Sequence, residues 1–255
     1  MIVRLTVLGK WSPYPPPGGA CPGYLVQVEG TRILLDCGSG VVAALHRWCR
    51  AHELRAADVT HLHPDHFSDI YALQSALRFD RYPDPPAPPL PLYAPRGAGE
   101  ILAAALPTES ARQDFRERFA FHPLEDGQAE VSGVRLRFVR TTHPMPCHAV
   151  EVSAGGRRLV YTADTGPSTA VEELAAGAHV LLAECALVEE AEDLAMTWGH
   201  LTGSMAGAMA ARAGVGRLLL THFFTPHHAV QESVAAAAKE FGVVFPVDEG
   251  STYEV

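Results

Sequence analysis

Three histidines and an aspartate crowd one turn of this chain: Thr60 to Ile70 reads THLHPDHFSDI, with His61, His63, Asp65 and His66 inside six positions. Histidine is a weak former of helix and strand alike, so backbone propensity does not gather them there. His61 and His63 form an i, i+2 pair at the end of a short strand, Val59 to Leu62, and residues two apart in extended chain point to one side. Pro64 stops that extension and biases His63 toward extended dihedrals, so the chain must turn. Asp65 and His66 then open the next helix, displaced from the first pair and able to face a second ion. Nitrogen and carboxylate ligands of this kind suit zinc, with manganese or iron less favoured. The bland alternative, a set of surface histidines, leaves four ligand-type side chains crowded with nothing to hold.

At 255 residues, 47% hydrophobic and 19% charged, the chain can bury a substantial core as one large domain or two fused halves. Its formal charge of −9 argues against a broad salt-driven grip on a nucleic acid backbone. A small anionic substrate stays open, because a metal can supply local positive charge. Cys21, Cys37, Cys49, Cys147 and Cys185 form an odd set with no CxxC pair, which suggests reduced thiols and neither a disulfide framework nor a zinc ribbon. MIVRLTVLGK lacks the plan of a signal peptide and no apolar run reaches membrane-spanning length, so a cytoplasmic protein is expected. Oligomeric state is left open, a homodimer included.

Apolar patterning predicts strands at Ile2 to Leu8, Tyr24 to Glu29 and Arg32 to Leu35, then helices Val41 to Arg50 and His66 to Arg81. GKWSPYPPPGGACPG reads as a long ordered loop, and DRYPDPPAPPLP, Asp80 to Pro91, as an extended connector within one domain. Beyond a helix near Gly97 to Leu106 come strands around Ala120 to Leu124, Val134 to Thr141, Ala149 to Val152 and Arg158 to Tyr161. Helix and strand then alternate: Ser168 to Ala176, Val180 to Ala183, Thr202 to Ala213, Arg217 to Leu220, Val230 to Phe241 and Val243 to Pro246. A layered α/β architecture follows, not an all-β barrel.

HLHPDH resembles the metal motif of the metallo-β-lactamase superfamily, and the resemblance extends through TTHPMPCH with His143, YTADTG with Asp164 and LLLTHF with His222. Each of these follows an apolar run that would bring it to the mouth of a strand. The resemblance implies a four-layer αββα sandwich spanning residues 1–255 as a single domain, in two similar halves of approximately 1–125 and 126–255. It implies that His61, His63 and His143 hold one metal, Asp65, His66 and His222 the other, and that Asp164 bridges two zinc ions. GHLTGSMAG, with His200 before a helix that Thr202 or Ser204 could cap, resembles the histidine motif of the phosphodiesterase branch that includes ribonuclease Z. Glu184 in LLAECAL resembles the acidic residue that accompanies that histidine. The catalytic set so implied is His200, Glu184 and Asp65: metal-bound hydroxide attacks phosphorus and His200 acts as acid.

Only twenty residues separate His143 from Asp164, which leaves no room for the tRNA-binding arm of ribonuclease Z. In the Gly-rich first loop before GYLV, the HPxxC segment His143 to Cys147, the HLT motif and the ending VDEGSTYEV, the chain more closely resembles compact bacterial phosphodiesterases of this fold that act on cyclic nucleotides, which implies a 3',5'-cyclic AMP-like substrate. The missing arm and the acidic charge argue against a stable nucleic acid partner. Rival readings are a glyoxalase II-type thioester hydrolase, a tRNA 3'-processing-like endoribonuclease and a non-catalytic metal sensor. A diiron redox role is disfavoured, since those relatives carry glutamate where His63 stands. His148, His227 and His228 are read as either site contacts or structural groups, and His46, His52, His122 and His179 as structural. Trp11 and Tyr14 either stack a nucleobase or pack the loop.

Overall fold

Runs such as VRLTVLG and GYLVQV are too rich in large and β-branched apolar residues to leave either face of a sheet in water. In the computed structural model, which describes residues 1–82, 84–85, 87–224 and 229–255, they are adjacent interior strands of a seven-stranded sheet. The first part of the chain runs β1 (Val3–Gly9), β2 (Trp11–Ser12), β3 (Gly23–Val28), β4 (Thr31–Leu35), α1 (Val41–Leu45), β5 (Ala56–Asp58), α2 (Pro64–Phe67), α3 (Ile70–Phe79), β6 (Leu90–Pro95), α4 (Ala98–Ala104), α5 (Glu109–Arg118) and β7 (Phe119–Leu124). The remainder runs β8 (Gly127–Val131), β9 (Val134–Arg140), β10 (His148–Ala154), β11 (Arg157–Tyr161), α6 (Thr169–Ala175), β12 (Val180–Glu184), α7 (Ala195–Trp198), α8 (Gly203–Ala213), β13 (Arg217–Thr221), β14 (Phe223–Phe224), α9 (Val230–Glu240), β15 (Val244–Pro246) and β16 (Thr252–Glu254).

One sheet has the order β16-β1-β3-β4-β5-β6-β7 and the other β15-β13-β12-β11-β10-β9-β8. The chain changes sheets between Leu124 and Gly127, and its last strand returns to pair with β1. Three apolar cores make four layers, α/β/β/α. Leu5, Tyr24 and Ile33 of the first sheet meet Leu136, Val150 and Tyr161 of the second between the sheets. Leu34 and Leu92 pack outward on Ile70, Leu73 and Phe115. Leu181 and Leu218 pack outward on Leu174, Met209 and Ala237. No helix among the described residues is long and apolar enough to cross a membrane.

Four expectations about elements need correction. β5 stops at Asp58, so His61 and His63 lie in the loop beyond the strand. The helix expected over His66 to Arg81 is two helices, because Asp69 is pinned between them: its N–H donates to Cys37 O and its carboxylate accepts from Val42 N at 2.9 Å. The helix from Val41 ends at Leu45, short of Arg50. Finally, the proline-rich connector enters a strand, β6, at Leu90. Pro91 is tolerated because the ladder to β5 uses only Leu92 and Tyr93.

Candidate metal centre

Strands β4, β5, β11, β12 and β13 all end at one edge of the sandwich, the edge where open α/β sheets present ligand sites. They deliver Asp36, the His61–His66 loop, Asp164, Glu184 and His222 in turn. Local backbone strain helps aim them. Asp36, Ala163 and His222 have φ of 58°, 51° and 57°, a left-handed region that costs a side-chain-bearing residue roughly 1–3 kcal/mol. The other two such residues among those described, Glu29 and Ser132, merely turn hairpins.

Two ligand-type clusters result, and a third grouping of Asp164, His200 and His222 overlaps both. In the first, His61 Nε2 lies 3.0 Å from His63 Nδ1, which lies 3.4 Å from His143 Nε2, and Asp164 Oδ2 is 3.4 Å from His61 Nε2. In the second, His66 Nε2 and His222 Nε2 are 3.1 Å apart, with Asp65 Oδ2 at 3.7 and 3.6 Å from them. Asp164 Oδ1 faces this second cluster, 3.3 Å from His66 and 3.2 Å from His222. One carboxylate therefore shows one oxygen to each cluster. Oδ1 is buried and without a hydrogen-bond partner among the described residues, as an oxygen that serves a cation would be. Imidazole nitrogens converging this closely gain little from one another, and the donor set fits divalent metal.

Groups behind the ligands orient them. Buried Asp36 accepts from His66 Nδ1 at 2.8 Å, from Thr60 N at 2.8 Å and from the Tyr161 hydroxyl at 2.9 Å. Thr60 Oγ1 lies 3.1 Å from His61 Nδ1. His143 Nδ1 donates to Gly199 O at 3.0 Å, and Ser12 Oγ donates to Asp65 Oδ2 at 2.9 Å. Such contacts set the tautomer and ring angle that a ligand nitrogen needs.

Electrostatics divides the histidines. Burial, with His66 nearby, pushes His61 down to about 4, and burial also lowers His63 and His143. These three are neutral, the form that ligates. Burial opposes the charged form of His66 too, but Asp164, Asp36 and Asp65 outweigh it and hold His66 well above its ordinary value. In turn His222, His66 and His61 hold Asp164 ionised, and His66 and His222 hold Asp65 ionised, against the burial of each carboxylate.

His200 stands beside both clusters, its ring 5.4 Å from His143 and 5.7 Å from His222, with Nδ1 3.9 Å from Asp164 Oδ2. Nδ1 bonds Glu184 Oε1 at 2.8 Å. Glu184 is itself fixed by Thr165 N and Ala186 N at 2.9 and 3.0 Å. Thr202, not Ser204, caps α8, accepting from Met205 N at 3.3 Å.

All eight of His61, His63, Asp65, His66, His143, Asp164, His200 and His222 thus come together, with Glu184 directly behind His200. His148 is buried at the start of β10 and joins neither cluster. His227 and His228 lie outside the described residues. Trp11 packs against Phe223 with ring centroids 6.1 Å apart, so it is a packing aromatic. Asp36 and Ser12 were not anticipated. Asp36 ends an apolar run, ILLD, with the same pattern as Glu184 in VLLAE, and that pattern was the available signal.

Residues 31–223 match the Beta-lactamase superfamily domain, and the chain belongs to that superfamily as a metal-dependent hydrolase. It is 29% identical over 237 residues to the "Probable metallo-hydrolase YhfI" of Bacillus subtilis (strain 168), covering 93% of each chain. It is 34% identical over 265 residues to a "Ribonuclease Z" of Mycolicibacterium paratuberculosis, covering 94% of this chain and 93% of the other. The crystal structure of the metallo-beta-lactamase fold protein YhfI superposes with a TM-score of 0.86 at 27% identity, covering 100% of this chain and 99% of that one.

Proposed function

We propose that the chain hydrolyses the phosphodiester bond of a small nucleotide, with 3',5'-cyclic AMP as the leading substrate. His61, His63 and His143 would hold one zinc ion, Asp65, His66 and His222 a second, and Asp164 both. Zinc bound there supplies a Lewis acid for the phosphoryl oxygens and lowers the pKa of a water molecule to about 7.

The observation that carries the reading is the His200–Glu184 pair at the lip of both clusters. Glu184 holds the proton on Nδ1, which leaves Nε2 as the nitrogen that gives a proton to a departing alkoxide. A sensor has no use for such a pair. Thioester cleavage, whose thiolate leaves without help, gains little from it.

An endoribonuclease reading draws on the relative named ribonuclease Z. Against it, β10 and β11 are joined by a tight turn at Gly155 and Gly156, and His143 to Asp164 carries no other insertion. The −9 charge points the same way. The test is a screen of zinc-loaded protein against 3',5'-cyclic AMP, 2',3'-cyclic AMP, linear dinucleotides, a precursor tRNA and a glutathione thioester. Cyclic 3',5' turnover should lead; thioester turnover without any diester cleavage would overturn the reading.

A further inference from the structure

A nucleotide whose diester sits at the clusters must place its base within reach, and Trp11 is committed to Phe223. The segment between β9 and β10 offers a place. It carries His143 to the first cluster and closes at its base, where Thr141 N donates to Cys147 O at 3.0 Å. Pro146, on the same excursion, lines a cavity of about 440 Å³ bounded by Pro95 at the end of β6. His148 N donates to Thr60 O at 3.2 Å and ties this wall to the residue before His61. Cavity and clusters therefore share one edge of the sandwich and one wall.

Arg140 and His148 face each other in register on β9 and β10, on the inner face with Phe138 and Val150. His148 is 5% exposed, yet its Nδ1 has no hydrogen-bond partner among the described residues. Its Nε2 is 4.0 Å from Asp126 Oδ1, beyond hydrogen-bond reach. Burial holds the ring below its ordinary pKa and so neutral. The Arg140 guanidinium also lacks an ion-pair or hydrogen-bond partner among the described residues. Nδ1 is enclosed by protein, and Nε2, which is not enclosed and makes no hydrogen bond, is the ring nitrogen left for a ligand in the cavity.

The lining selects the ligand. Arg96 pairs with Glu125, and Arg140 is offset by Asp126, whose carboxylate accepts from the Arg140 backbone N–H at 2.7 Å. Formal charge sums to zero, which gives a second phosphate no advantage and favours a neutral, planar group with a polar edge.

We propose that this cavity is the nucleobase subsite of the enzyme, with His148 and Arg140 hydrogen-bonding the base edge and Pro95 and Pro146 alongside its ring. The inference rests on the phosphodiesterase reading, so two measurements keep them apart. Adenosine, which has no phosphate for the clusters, is titrated while the histidine ring resonances are followed by NMR; the His148 resonances should shift and saturate in the millimolar range. In parallel, kcat/KM for 3',5'-cyclic AMP is divided by that for bis-p-nitrophenyl phosphate. That ratio should fall about tenfold, through KM, in both His148→Phe and Arg140→Met. If the buried His148→Phe variant does not fold, Arg140→Met decides, since Arg140 is exposed at the mouth. An unchanged ratio together with a silent His148 overturns the subsite and leaves the diesterase standing. Failure of the wild type to cleave either diester overturns the function, and the adenosine titration then rules on the cavity alone.

Discussion

Burial pulls the His200 proton off and Glu184 more than restores it, so the group's pKa is raised to about 9. A raised pKa means that the proton is present at neutral pH and is lost as pH climbs through that value. kcat for a diester with a poor leaving group should therefore decline on the alkaline side. His200→Ala should lower kcat by about 10²- to 10⁴-fold and remove that alkaline limb, as read from pH-rate profiles of both proteins. An unaltered profile would remove His200 from the reaction. Asp36 is the second test at this scale. Asp36→Asn keeps the shape but weakens the grip on His66 Nδ1 and Thr60, and metal affinity should drop about 10- to 100-fold in competition with a chelating dye. His61 to His66 could be read as ligands because they are adjacent in sequence. ILLD marks Asp36 as a polar residue at a strand mouth, but not its partner His66, thirty residues away, since an aspartate there looks the same whether it turns the chain or orients a ring.

Short elements hold α2, which carries Asp65. A Cβ added at Gly38 would lie 1.9 Å from Asp65 O and 2.7 Å from the Cys21 Cβ, so the turn after β4 accepts α2 only because it has no side chain there. Gly38→Ala should cost roughly 1–3 kcal/mol, seen as a lower urea midpoint at unchanged slope, and should reduce metal occupancy as Asp65 moves. A midpoint equal to wild type would show that α2 is free to shift. The elements read correctly, such as β3, β4, β9, α8 and β13, have strong apolar periodicity of their own. Those missed, β2, α5, β8, α7, β14 and β16, are polar or short and depend on neighbours: Phe115 is the one buried side chain of α5, and β16 exists through its pairing with β1. β5 was displaced because VTHL is as apolar as AAD, and only the register against β4 and β6 ends the strand at Asp58.

Across the whole molecule, the clusters join the two sheets at one edge, so metal bound there links the halves. Ligand bound at about a thousand times its Kd adds about 4 kcal/mol to stability. For a chain of this size, stripping it with a strong chelator should lower Tm by about 10 °C, followed by calorimetry with metal analysis on the same sample. An unchanged Tm after verified metal loss would mean that the sandwich is held by its three apolar cores alone. The chain by itself made the ligand-type side chains and their order legible, because His61 to His66 are adjacent in sequence and His143, Asp164 and His222 each follow an apolar run, and both patterns are local. Only the tertiary structure decided that Asp164 shows one oxygen to each cluster, that Glu184 holds His200, and that His148 faces a cavity and no metal ligand. Those facts depend on sheet register and on the packing of one sheet against the other, which bring together groups as far apart in sequence as His66 and His222.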